Sequence, residues 1–260
     1  MPMPKPGRRL LLLAAALLAL AAPAAAAEIH VLTSGGLTAA YRALAPEFEK
    51  ATGHRLVTAQ GASMGSAPDA IPQRLARDEP ADVLLLAGGA LDRLIAEGKA
   101  MPGSRTDIAE SRIGMAVRAG APHPDISTME GFRRALLAAK SIAYSASASG
   151  VYIETEMYRR MGLADELMPK SRKIFSERVG SVVARGEAEL GFQQISELLP
   201  IQGIDFLGPI PPEVQQVTVF SAGLAAHARE PEAARALIAF LASPTARETL
   251  RRTGLDPVQR

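Results

Sequence analysis

Cysteine and tryptophan are absent from the 260 residues, and aromatic residues make up only 4% of them. Without cysteine there is no disulfide framework, no thiolate metal site and no thiol nucleophile. So few rings argue against a surface that stacks bases or sugars, and no nucleic-acid partner is expected. His30, His54, His123 and His227 are scattered, with neither metal-ligand spacing nor a Ser-His-Asp arrangement. Gly35-Gly36 and Gly88-Gly89 lack the Gly-Lys-Ser/Thr ending of a phosphate loop. No metal and no cofactor is expected.

An excess of one charge is missing as well. Lys5, Arg8, Arg9 and the apolar run from Leu10 to Ala22 form a basic start and a hydrophobic stretch short for a bilayer span. Ala25-Ala26-Ala27 supplies small residues for cleavage, so 1–27 reads as a secretory signal peptide, cut near Ala27. Those three basic residues leave 26 of the 29 against 27 acidic ones, a net charge of −1. The basic pI of the precursor therefore says nothing about partners. The expected compartment is the periplasm, and the expected state is a monomer.

What is present is a repeated device. Ile29-His30-Val31-Leu32 suits a strand, Thr33-Ser34-Gly35-Gly36 a turn, and Leu37, Tyr41, Leu44 and Phe48 mark one face of a helix. Ser34 is placed to cap that helix, and its start can hold an anion. Pro46 should kink or break it. Arg55 to Ala59 reads as a strand ending in Gln60-Gly61-Ala62-Ser63-Met64-Gly65-Ser66. Val83 to Leu86 reads as a strand buried on both faces, ending in Ala87-Gly88-Gly89. Strands then follow at Ile113–Val117, Ser141–Tyr144, Lys173–Phe175, Leu190–Phe192 and Val217–Phe220, most of them ending in small or hydroxylated turns. Alternating β and α predicts parallel sheets with helices on both sides.

The expected fold is α/β, two doubly wound lobes joined by a two-strand hinge. Lobe one takes 28–115 and 216–260, and lobe two takes 116–215. Ligands of open α/β sheets bind at the carboxyl ends of strands, which here would face each other across the hinge.

The chain resembles the periplasmic solute-binding proteins of the type that includes the molybdate-binding protein. The resemblance spans nearly all of 28–260. It lies in Thr33-Ser34-Gly35-Gly36-Leu37, Ala62-Ser63-Met64-Gly65-Ser66, Pro80-Ala81-Asp82-Val83, Ala148-Ser149-Gly150-Val151-Tyr152, Arg178-Val179-Gly180-Ser181-Val182, Glu189-Leu190-Gly191-Phe192 and Ser243-Pro244-Thr245. It implies a type II periplasmic binding protein fold that holds a small anion and delivers it to a membrane ABC permease. Carried over, the ligand positions are Ser34, Gly35, Ser63, Met64, Ser149, Gly150, Arg178, Val179 and Gln193. Gln193 stands where the molybdate binder has tyrosine, so both a molybdate-like oxyanion and a small organic carboxylate stay open. The same shape is similar to an enzyme, periplasmic aconitate isomerase, which leaves the alternative of an allylic proton shift between cis- and trans-aconitate. For that chemistry the candidates are Tyr152, Glu154 and Glu177.

Overall fold

The computed structural model describes residues 26–259. The expected leader lies outside the described residues as far as residue 25. Two sheets, each with its own apolar core, make the two lobes.

The first sheet begins with β1 (Glu28–Thr33), β2 (Arg55–Gln60) and β3 (Val83–Ala87). β1 pairs parallel with both β2 and β3, through helices α1 (Gly35–Thr52) and α2 (Ile71–Ala76); α3 (Gly88–Ala96) follows β3. The spacing that predicts α1 is borne out, since Leu37, Tyr41, Leu44 and Phe48 are all buried. Pro46 does not break this helix. It lies on the exposed side, where water can serve the carbonyl that its missing N–H leaves free. All five residues of β3 are buried.

A strand missing from the sequence reading, β4 (Thr106–Ser111), comes next. The chain changes sheet at Arg112, and β5 (Ile113–Arg118) belongs to the second sheet. Ile113, Gly114 and Met115, expected in lobe one, therefore lie in lobe two. Ile113 and Met115 are packed in its core.

Lobe two continues with α4 (Met129–Ala138), β6 (Ile142–Ser145) and α5 (Ala148–Tyr152), which runs on through a π turn (Ile153–Met157). Then come α6 (Ala164–Leu167), β7 (Ser171–Ile174), α7 (Val179–Ala184), β8 (Leu190–Gln194), α8 (Ile195–Leu198) and β9 (Ile204–Pro209). The strand order is β7-β6-β8-β5-β9. Phe132 and Phe192 meet edge to face in this core.

β10 (Thr218–Leu224) returns to the first sheet between β3 and β4, antiparallel to both. The sheets are therefore mixed, not wholly parallel. The helices α9 (Pro231–Leu241) and α10 (Arg247–Arg252) and the edge strand β11 (Asp256–Pro257) complete lobe one. The two crossings are clasped by Gln215, whose amide accepts from Ile113 N–H and donates to the carbonyls of Ile113 and Ile210.

Candidate functional site

Five strand ends meet between the lobes. One hollow is lined by Gly35 after β1, by Gln60, Gly61 and Ala62 from β2, by Ser145 to Ser147 from β6, and by Ile174 to Arg178 from β7. Gln193 from β8, with Glu197 and Asp69, closes it. Its volume of about 140 Å³ lies below the roughly 300–1,000 Å³ of drug-sized pockets, which suits a small anion.

The lobe-one serines, Ser34 and Ser63, do not themselves line this hollow. Ser34 is 2% exposed and sits at the N-cap of α1, yet its side chain caps nothing. Its Oγ is buried without a hydrogen-bond partner. A buried hydroxyl in that state is costly unless something occupies the space in front of it. Ser63 Oγ accepts the Ala87 N–H at 3.0 Å, which leaves its own hydrogen to donate. Both serines adjoin wall residues, Gly35 and Ala62. Met64 does not line the hollow. It lines a neighbouring one, also between the lobes, with Arg93, Arg105 and Tyr152.

In lobe two, Ser149 is buried and its Oγ lies 3.2 Å from Ser145 Oγ. Gly150 answers to packing: a Cβ there would overlap the Ser145 carbonyl oxygen, so only glycine lets α5 start this close to β6. Val179 departs from the expected role of ligand donor. Its N–H donates to Gln193 Oε1 at 2.9 Å. Gln193 thereby spends that backbone N–H internally. The same bond fixes the orientation of the Gln193 amide, whose Nε2 donates to Glu197 Oε1 at 2.9 Å. One Nε2 hydrogen remains for a ligand.

Arg178 is half-buried at the N-cap of α7 and lines the hollow. Among the described residues no carboxylate lies within ion-pair distance of it. Its guanidinium is the open cation of this cleft. Arg74, by contrast, is held by Glu79 and by the carbonyls of Asp69 and Gln60.

The three carboxyl and hydroxyl groups singled out for proton transfer are occupied elsewhere. Tyr152 donates to the Val214 carbonyl at 2.9 Å and accepts from Arg160. Glu154 pairs with Lys173. Glu177 lines the hollow, but both of its oxygens are taken by Arg185. The histidines lie apart from this cleft: His30 and His227 line a separate hollow, His54 accepts the Ala27 N–H, and His123 faces Asp205. Among the described residues no cluster of His, Asp or Glu could hold a metal ion.

Sequence reasoning missed Glu197. It follows β8 in the four-residue α8, where a glutamate reads as surface. The fold turns α8 against the start of α1: Ser196 Oγ donates to the Gly36 carbonyl at 2.8 Å, and a Cβ on Gly35 would overlap Glu197 Oε1. Burial pushes the Glu197 carboxyl up to about 7, with Arg178 and then the Gln193 hydrogen bond pulling the other way.

Residues 29–256 match the model of a family described as bacterial extracellular solute-binding protein. An aconitate isomerase from Pseudomonas sp is 51% identical over 230 residues, 88% of each chain. The molybdate-binding protein ModA of Azotobacter vinelandii is 26% identical over 258 residues, 94% of this chain and 96% of that one. Among solved structures, the periplasmic molybdate-binding protein of Azotobacter vinelandii superposes with a TM-score of 0.72 at 24% identity, covering 89% of this chain and all of the other. The sulfate-binding protein SubI from Mycobacterium tuberculosis H37Rv does so with a TM-score of 0.71 at 18% identity, covering 90% and 88%.

Proposed function

The chain belongs to the bacterial extracellular solute-binding protein family, and we propose that it uses the family's cleft to interconvert cis- and trans-aconitate. The observation that carries this reading is the 51% identity, over 88% of both chains, to an aconitate isomerase, against 26% to ModA. The cleft chemistry agrees with it. A tricarboxylate needs several donors and at least one cation. Ser34 and Ser63, the remaining Gln193 hydrogen, the start of α1 and the Arg178 guanidinium supply them. A carboxyl among these donors is out of place for a fully ionised oxyanion, which it repels once it loses its proton. For an allylic proton shift such a group is required.

The donors named here are the site we assign to lobe one and lobe two. In the same reading residues 1–27 export the chain to the periplasm, where it acts as a monomer. Delivery of an anion to an ABC permease is the second reading, favoured by the fold shared with molybdate- and sulfate-binding proteins.

The purified chain alone, with no membrane partner, tests the two. Conversion of cis- to trans-aconitate is followed by ultraviolet absorbance. Melting shifts are measured with molybdate, tungstate, sulfate, citrate and both aconitates. Turnover with stabilisation by the aconitates is the expected outcome. Stabilisation by molybdate or sulfate, with aconitate left unchanged, would replace the isomerase by the transport reading.

A further inference from the structure

We propose that Glu197 is the residue that takes and returns the migrating proton, an assignment that rests on the aconitate reading above. It stands on four observations of position. Glu197 lines the hollow at the meeting of the strand ends. Its Oε1 is fixed by Gln193 Nε2, whose own orientation is set by the Val179 N–H. It lies against Gly35, which has no side chain to cover it, beside the turn that carries Ser34. Among the described residues no Lys or Arg nitrogen lies within ion-pair distance of it, so its oxygens are not locked in a salt bridge.

The other charged groups around the hollow serve less well. Arg178 lines the same hollow, near enough to act on Glu197 electrostatically but not paired to it, and is placed to hold a substrate carboxylate. Glu177 is clamped by Arg185. Asp69 sits on the opposite, lobe-one wall, where its carboxylate meets Ser176 Oγ at 3.5 Å. The raised pKa of about 7 agrees with the assignment, since near neutral pH both the accepting and the donating form of Glu197 are populated.

The step balances without a co-reactant. The Glu197 carboxylate removes a proton from the methylene carbon of aconitate. That C–H electron pair becomes part of a new double bond, and the old double bond opens toward its vinyl carbon. The extra negative charge of the intermediate is shared with the neighbouring carboxylate, within reach of the Arg178 guanidinium. The Glu197 carboxylic acid then gives a proton to the former vinyl carbon. One C–H bond breaks, one forms, and nothing is oxidised. Both isomers have the same connectivity. The orientation in which the cleft holds the methylene arm therefore sets the geometry of the new double bond.

The experiment compares the wild-type chain with Glu197→Gln, Glu197→Asp, Asp69→Asn and Glu177→Gln. It reads kcat for aconitate conversion and the melting shift given by trans-aconitate. Glu197→Gln is expected to lose about 10²- to 10⁴-fold in kcat, the usual weight of a general base, while keeping its aconitate melting shift. Glu197→Asp, with the carboxyl withdrawn by one methylene, keeps part of the rate. A wild-type chain that does not convert aconitate ends the isomerase reading, and the proton role of Glu197 with it. An active wild type with Glu197→Gln within tenfold of it overturns the Glu197 assignment alone. So does a kcat loss in Glu197→Gln that comes with loss of the melting shift. A larger loss in Asp69→Asn or Glu177→Gln would move the base to that residue.

Discussion

The Glu197→Gln substitution should make the protein more stable at pH 8 and leave it unchanged at pH 4. Glutamine keeps the size of the side chain and a partner for Gln193, and it removes only the ionisation. The Glu197 carboxyl rises from 4.5 to about 7 on folding because burial disfavours its charged form. Between those two values the folded chain holds a proton that the unfolded chain has released. Wild-type stability therefore falls as pH rises through that window, relative to the variant. At about 1.4 kcal/mol per pH unit, the rise from 4.5 to about 7 amounts to about 3 kcal/mol above pH 7. Below pH 4.5 the carboxyl is neutral in both states and the two proteins converge. Urea unfolding at half-unit steps from pH 4 to pH 8, with the midpoint difference multiplied by the common slope, reads this directly. A difference that stays flat across the window would show that the Glu197 carboxyl is as well solvated in the fold as in the unfolded chain. The burial argument, and its support for a proton-carrying group, would then be wrong.

Three further substitutions separate site from scaffold. Ser34→Ala removes a buried hydroxyl that has no partner. It should stabilise the ligand-free protein by about 1 kcal/mol in urea unfolding and weaken aconitate binding about tenfold or more; unchanged affinity in a titration would remove Ser34 from the site. Tyr152→Phe strands the Val214 carbonyl and a donor of Arg160. It should cost about 1–3 kcal/mol in urea unfolding and leave kcat within a few-fold, and a kcat collapse without loss of stability would restore Tyr152 as a proton-transfer candidate. Gly150→Ala drives a methyl into the Ser145 carbonyl. It should lower stability by about 1–3 kcal/mol and move the start of α5; a neutral result by thermal melting would mean that α5 is not held tightly against β6.

The local devices were readable in the chain because they depend on neighbours in sequence. A 3.6-residue spacing buried Leu37, Tyr41, Leu44 and Phe48 on one face of α1. Four consecutive apolar residues, Val83 to Leu86, gave a strand covered on both sides. The small residues after β1, β2 and β6 marked turns that do line the cleft. β4 was missed because Thr106–Ser111 mixes Asp107 and Glu110 among its apolar residues. It becomes a strand by pairing with β10 and β11, both more than a hundred residues later.

The sequence alone determined the class of fold and the turn positions, since periodicity and turn chemistry act within a few residues. Only the tertiary structure decided that Val179 serves Gln193, that Tyr152 and Glu154 are spoken for, and that Glu197 enters the cleft. The last of these arises where α8 of one lobe is pressed against the first turn of α1 in the other; the first two come from contacts inside lobe two. Burial and pairing of a polar group depend on which distant segment covers it, and no spacing along the chain records that.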